Sequence, residues 1–449
     1  MSILIKNAKA IVTVDRGDRV LTGQNILLKD GQIAYIGNEE LPADETIDAA
    51  NCFVYPGLIN THHHLYQTFT RNLPKVQNLE LFDWLVALYE IWKGLEPDMI
   101  YYSSLTGLAD LMKYGCTTCF DHHYVFPHHV SGEFIDIQFK AAADIGIRCH
   151  ASRGSMSRSR KDGGLPPDSV VQTTDEILRD SLRLIEEYHD PKPFSMRQIA
   201  LAPCSPFSVT PDLMVESAKL ARAKNVRLHT HLAETLDEER YTTETVHMRP
   251  LAYMESLGWI GPDVWFAHGI HFNDDELKLL ADTHTGVAHC PISNMKLSSG
   301  VARVSEMLPL GVPVGLAVDG SASNDGSNLL EELRVGFLLQ RLKYSEKSAS
   351  GYDMLKIATA GSASILGRND IGSIEVGKAA DLFLVDMNQI DCIGTAYDPK
   401  SMPATVGLKR PVDYTIVNGE IVVRDGRLVK LDEQEIVQKA NALVEKLNR

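Results

Sequence analysis

The chain has 449 residues, 44% hydrophobic and 23% charged, and no apolar run approaches the roughly 20 residues that a bilayer-spanning helix needs. Lys and Arg number 44 against 59 Asp and Glu, a formal net charge of −15. The missing apolar run argues against membrane insertion, and the acidic field repels polyanions, so no nucleic-acid partner is expected either.

At about 150 residues per domain the length would suggest three domains, although one (β/α)₈ barrel absorbs more than half of it. The first segment, Met1–Asp18, alternates like a strand. It lacks the unbroken apolar core and small-residue cleavage site of a secretory leader, so a cytoplasmic location is expected. Short strands broken by turn residues fill both ends of the chain: Lys29-Asp30-Gly31 near the start, Val417-Asn418-Gly419 and Arg424-Asp425-Gly426 near the end. Residues 1–55 and 372–449 are therefore expected to join as one small β-sandwich domain. The closing stretch Glu433–Leu447 carries apolar residues at Ile436, Ala440, Leu443 and Leu447, the stripe of a helix docked on the body.

Between them, residues 56–371 alternate short β-rich runs with helical patterns of ten to fifteen residues. Eight runs can be counted: Phe53–Asn60, Thr117–Asp121, Ile147–Ser152, Gln198–Pro203, Val226–Leu232, Asp263–His268, Gly286–Cys290 and Val312–Asp319. Eight argues for an α/β fold, a distorted (β/α)₈ TIM barrel. Helix ends are readable too: Pro97 opens a stretch that Gly115 closes, and Thr210-Pro211-Asp212 starts another that finishes at Asn225. The seven cysteines are odd in number and scattered, as where thiols stay reduced, and the Cys116/Cys119 pair reads as buried thiols rather than a zinc knuckle.

Histidine carries the chemistry. Strands of a barrel deliver catalytic residues at their C-terminal ends. His62 and His64 end the first run on one face, with His63 pointing away. His231 ends the fifth with Glu234 three residues on, His268 ends the sixth, and Asp319 ends the eighth. One buried histidine alone is usually a satisfied core residue. Three histidines and one aspartate at strand ends of one barrel supply N and O ligands suited to Zn²⁺ or Fe²⁺, with room for a water.

These residues lie in longer matches: Pro56-Gly57-Leu58-Ile59-Asn60-Thr61-His62-x-His64, His229-Thr230-His231-Leu232-Ala233-Glu234, Ala267-His268-Gly269, His289-Cys290-Pro291-x-Ser293-Asn294-x-Lys296-Leu297, Asp319-Gly320 and the run Gly372–Leu382. On them the chain resembles the amidohydrolase superfamily, in its single-metal deaminase and chlorohydrolase branch. The resemblance implies His62, His64, His231 and Asp319 as ligands of one divalent metal, with Glu234, His268 and Asp319 catalytic. Binuclear relatives bridge two metals through a carboxylated lysine on the fourth strand, and Gln198–Pro203 has none. A divalent cation lowers the pKa of water it holds toward neutrality. Glu234 would shuttle that water's proton to a ring nitrogen, His268 would polarise the water or stabilise the adduct, and Asp319 would pass the second proton to departing ammonia.

The ring is read from the loops. Guanine deaminases carry a Pro-Arg-Phe segment where this chain has Ala202-Pro203-Cys204-Ser205-Pro206-Phe207. That segment, with Arg153–Ser157 and Lys161–Val170, instead resembles the bacterial 8-oxoguanine deaminase subfamily. The resemblance implies a small purine-like substrate and a homo-oligomer. Candidate ring contacts are Gln67 for a purine amide edge, Trp84 for stacking, Arg153 for a ring oxygen and Cys204; each has a plainer reading as surface or core. His122 and His123 end the second run, where one could touch the ligand. The Gly/Pro-rich loop Arg153–Thr174 reads as a lid. The alternatives are the same chemistry on pterin, guanine or s-triazine rings, or an inactive barrel serving as a binding protein.

Overall fold

The computed structural model describes residues 2–130 and 133–448. Eight parallel strands run in sequence order around the barrel: β1 (Leu58–Asn60), β2 (Cys116–His123), β3 (Arg148–Ser155), β4 (Arg197–Pro203), β5 (Arg227–Leu232), β6 (Val264–His268), β7 (Gly286–His289) and β8 (Val314–Leu316). Each neighbouring pair from β1 to β8 forms a parallel ladder. Single bonds close the ring between β8 and β1. Thr61 donates to the Leu316 carbonyl through its amide (3.2 Å) and its hydroxyl (3.0 Å), and Asp319 N donates to the His62 carbonyl (3.1 Å). The eighth run, read as Val312–Asp319, is shorter as a strand because Pro313 has no N–H to donate and the chain turns at Asp319.

Small and aromatic residues fill the barrel interior, among them Ile59, Phe120, Ala200, Trp265, Ala288 and Ala317, all buried. The expected helix ends hold. Pro97–Lys113 stops before Gly115 (φ +82°), and Pro211–Lys224 stops at Asn225, which takes the left-handed conformation (φ +54°).

Both ends of the chain build two further sheets. One has the order Gln32–Gly37, Gln24–Lys29, Ser2–Ala8, Glu45–Asp48. The other runs from Arg427–Leu428 through Glu420–Arg424, Tyr414–Val417, Leu382–Asp386 and Cys52–Pro56 to Ala10–Val12 and Val20–Leu21. Alternation sorts the second sheet's side chains. Cys52, Val54, Leu382 and Leu384 enter the core shared with the first sheet, while Phe53, Tyr55, Phe383 and Val385 pack toward the barrel. The three Asx-Gly turns have positive φ at both residues, for example +51° and +78° at Asn418 and Gly419, the conformation of a tight hairpin. Glu433–Leu447 is helical, with Ile436 and Ala440 buried.

The first sequence run is corrected here, because Phe53–Asn60 is not one barrel strand. Cys52–Pro56 pairs with Leu382–Asp386 in the terminal sheet, and only Leu58–Asn60 joins the barrel. The crossover is Gly57, where a Cβ would stand 2.1 Å from the Thr117 hydroxyl. Gly57→Ala is therefore expected to destabilise the fold by about 1–3 kcal/mol, the usual cost of overpacking. Denaturant melts check this, and an unchanged midpoint would show that the backbone has room to shift.

A second tie between the sheets is ionic. Arg148 on β3 is fully buried and meets Asp381 at two points, Nε to Oδ2 (3.1 Å) and Nη2 to Oδ1 (3.0 Å). Its remaining nitrogen donates to the carbonyls of Phe194 (2.7 Å) and Ser195 (2.6 Å), and Asn418 N donates to Asp381 (2.7 Å).

Candidate active site

Barrel strands end in one rim, and the rim gathers the histidines. His62 and His64 follow β1, His122 is the penultimate residue of β2, and His231 lies on β5. Their candidate ligand atoms fall within 4.8 Å of one another, and a second group of the same spread joins His62, His268 and Asp319.

Hydrogen bonds assign the tautomers. His64 Nδ1 faces the His122 carbonyl (2.6 Å) and His231 Nδ1 faces the Cys204 carbonyl (2.6 Å). A carbonyl only accepts, so both Nδ1 atoms carry hydrogen and both Nε2 atoms keep lone pairs. These Nε2 atoms are 3.1 Å apart with no hydrogen left to place between them. His62 Nε2 is buried without a partner, and Asp319 Oδ1 lies 3.3 Å from both His62 Nε2 and His64 Nε2. Burial keeps the three imidazoles neutral, His231 pushed down to about 3. Converging lone pairs that repel one another unless a cation sits among them are the donor set of a divalent metal. Nearby, His122 gives Nε2–H to the Ala202 carbonyl (2.8 Å), and its Nδ1 is buried without a partner.

Around this set stand the acid–base groups. Burial would raise the Asp319 carboxyl, but the cationic form of His268 beside it holds it well below the usual range. Ser293 Oγ donates to Asp319 Oδ2 (2.6 Å). Burial pushes Glu234 up to about 7 against the pull of His268, whose Nε2 is 3.4 Å from Glu234 Oε2. Glu234 Oε1 is buried without a partner. For His268, burial opposes the charged form and the carboxylates of Glu234 and Asp319 overcome it, raising its pKa, while Asn294 Oδ1 lies 2.9 Å from its Nδ1. Ala233, His268 and Asp319 all adopt positive φ (+53°, +74° and +63°), a conformation that costs an L-residue about 1–2 kcal/mol. Glu238, itself buried, accepts from Glu234 N (3.0 Å) and so braces that turn.

A cavity opens over the rim, with about 380 Å³ of empty space that includes its opening to solvent. Three of the four candidate ring contacts line it. Gln67 presents a buried Oε1 and Trp84 a buried indole N–H, neither with a partner, and Cys204 lies beside them. Gly320 makes room for Gln67, since a Cβ there would stand 1.9 Å from Gln67 Oε1.

Arg153 is not among the lining residues, a correction to the sequence reading. Alternation along β3 puts Cys149, Ala151 and Arg153 on the outer face, under the helix Thr174–Tyr188. There Arg153 donates to Asp180 (2.6 Å) and Gln172 (2.8 Å) and lies over the Phe126 ring. The loop after it does not line the cavity either, being fastened by Ser157 N to the Ser208 carbonyl (3.1 Å) and by Arg160 to Glu90 (3.1 Å). The cover comes from the helix Leu81–Trp92, through Leu81, Trp84 and Leu85, with Phe82 against Phe207 (ring centroids 4.8 Å apart). Sequence reasoning gave no role to Ser293, Asn294 or Phe207. The pairing of Ser293 and Asn294 with Asp319 and His268 was written only as an unassigned stretch of the His289–Leu297 motif.

Comparison with known proteins places this geometry. The amidohydrolase family model matches residues 53–422, and the chain belongs to that family. Within it the chain is a hydrolase acting on C–N bonds, of the deaminase kind. It is 44% identical over 442 residues to the 8-oxoguanine deaminase of Pseudomonas aeruginosa, covering 98% of this chain and 97% of that one. It is 42% identical over 450 residues to the hydroxydechloroatrazine ethylaminohydrolase of Pseudomonas sp. (strain ADP), covering 96% and 93%. Among solved structures it resembles the atrazine chlorohydrolase of Arthrobacter aurescens TC1 complexed with zinc, with a TM-score of 0.94 and 34% identity over 98% of this chain and 100% of that one. No helix among the described residues is long and apolar enough to cross a membrane.

Proposed function

We propose that the chain hydrolytically deaminates 8-oxoguanine to urate and ammonia, with His62, His64, His231 and Asp319 holding one divalent ion, zinc first and iron second. One observation carries the reading: a single cavity is lined by His64, His231, Asp319, Glu234 and His268 and also by unpartnered groups of Gln67 and Trp84. A divalent ion bound there supplies Lewis-acid activation of a water. Glu234 sits in both protonation states near neutrality, so it takes the water's proton and returns it to the ring nitrogen beside the carbon under attack. His268 orients the water and stabilises the oxygen of the tetrahedral adduct, and Asp319 relays the second proton to departing ammonia. Gln67 and the Trp84 N–H hold the ring's polar edge, which discriminates against rings that leave these buried groups unpaired. A cytoplasmic homo-oligomer completes the proposal, checked by fractionation of cells and by light scattering.

The second reading keeps this chemistry and changes the ring, and the 42% identity to an enzyme named for a hydroxylated triazine favours it. Ammonia release from zinc-loaded protein given 8-oxoguanine, guanine, isoxanthopterin and a hydroxytriazine in parallel separates the two. Turnover of 8-oxoguanine at least tenfold above the others, in kcat/KM, is expected. Turnover of a pterin or triazine alone would overturn the ring assignment and keep the hydrolytic one.

A further inference from the structure

Below the rim lies a histidine that the proposed chemistry does not use. His229, two residues before His231 on β5, is fully buried inside the barrel, stacked on the Trp265 indole (ring centroids 4.5 Å apart, planes at 27°) and edge-on to Phe120 (5.0 Å). Both of its nitrogens are committed: Nδ1 faces the Trp265 carbonyl (2.9 Å) and Nε2 faces His62 Nδ1 (2.8 Å).

We infer that His229 is a positioning residue that fixes the tautomer of His62 and so presents its Nε2 lone pair to the metal. The Trp265 carbonyl can only accept, so His229 must donate from Nδ1. A neutral His229 then has only an acceptor at Nε2, which forces the hydrogen of His62 onto Nδ1 and leaves Nε2 bare toward Asp319 and His64. His64 and His231 each obtain the same tautomer from a backbone carbonyl, His122 and Cys204 respectively. His62 has no carbonyl in that position, and a second imidazole backed by a carbonyl does the same work. The device is a carbonyl, a histidine and a ligand histidine in line, anchored on the apolar floor of Trp265 and Phe120. A hydrogen-bonded partner behind a ligand imidazole also raises its basicity, and loss of such a partner typically costs about 10–100-fold in metal affinity.

This rests on the reading of His62 as a metal ligand, and the test separates the two. Zinc affinity is measured by competition with a chromophoric chelator for the wild type, His229→Leu and His229→Gln, alongside thermal melts of the metal-free proteins. Gln can accept from His62 through Oε1 and donate to the Trp265 carbonyl through Nε2, whereas Leu fills the space and does neither. The expected result is an affinity about 10–100-fold weaker for His229→Leu and within about threefold of wild type for His229→Gln, with melting temperatures of the metal-free proteins alike. Equal zinc affinity in all three, or equal losses in both variants, would overturn the relay and leave the ligand set standing. A wild type that binds no zinc would remove the ligand set and the relay together. Should His229→Leu not fold, neutron diffraction of zinc-loaded wild type decides: deuterium on His62 Nδ1 and none on His229 Nε2 is required, and the reverse placement overturns the inference.

Discussion

Glu234→Gln is expected to lower kcat by about 10²–10⁴-fold while zinc content and melting temperature stay at wild-type values, because the amide keeps the shape of the carboxyl and loses its proton transfer. The geometry allows so clean a variant. Glu234 projects from a turn already braced by Glu238, its Oε1 has no partner to lose, and its near neighbour is the His268 Nε2 at 3.4 Å. KM should change little, since Gln67 and Trp84, not Glu234, carry the proposed hold on the ring. Single-turnover ammonia release with parallel metal analysis checks the claim. A kcat within tenfold of wild type would show that another group moves the proton.

The largest expected effect on stability lies far from the rim. Asp381→Ala should destabilise the protein by about 3–5 kcal/mol, because it leaves the buried guanidinium of Arg148 without its counter-charge. The half-buried Asn418 amide loses its acceptor as well. Replacing both partners with apolar residues, Arg148→Met with Asp381→Leu, should recover part of the loss, since the unpaired charge is removed while the Phe194 and Ser195 carbonyls and the Asn418 amide stay without partners. Chemical denaturation of the three proteins tests this. A loss below 1 kcal/mol for Asp381→Ala would show that Arg148 finds solvent.

The sequence made the strand count, the joining of both ends in a β-sandwich and the histidine positions legible, because alternation, Asx-Gly turns and helix caps are local signals. The departures have physical causes. Phe53–Asn60 reads as one strand because its apolar run continues through Pro56-Gly57, and only the pairing of its two halves with different sheets reveals the change. Arg153 looked available for a ligand because a charged residue after a strand is often in a loop, whereas the strand continues to Ser155 and parity sends Arg153 outward. The cover over the cavity was assigned to the Gly/Pro-rich loop, while the helix Leu81–Trp92 provides it. Nothing in an amphipathic stretch distinguishes core packing from packing over a ligand. His229 read as part of a motif, and its partnership with His62, 167 residues earlier in the chain, is visible only in three dimensions.

The helix Leu81–Trp92 and the barrel rim are separate stretches of chain, and this separation has an evolutionary consequence. In the proposed reading, proton transfer and metal ligation sit on strand ends whose strained backbone the whole barrel enforces, so they would tolerate little drift. In the proposed reading the helix Leu81–Trp92 supplies part of the cover over the ring, through Leu81, Trp84 and Leu85, and a few side-chain exchanges there would trade one flat heterocycle for another without disturbing the strands beneath. A lineage built this way can diversify its diet quickly while inheriting its reaction unchanged.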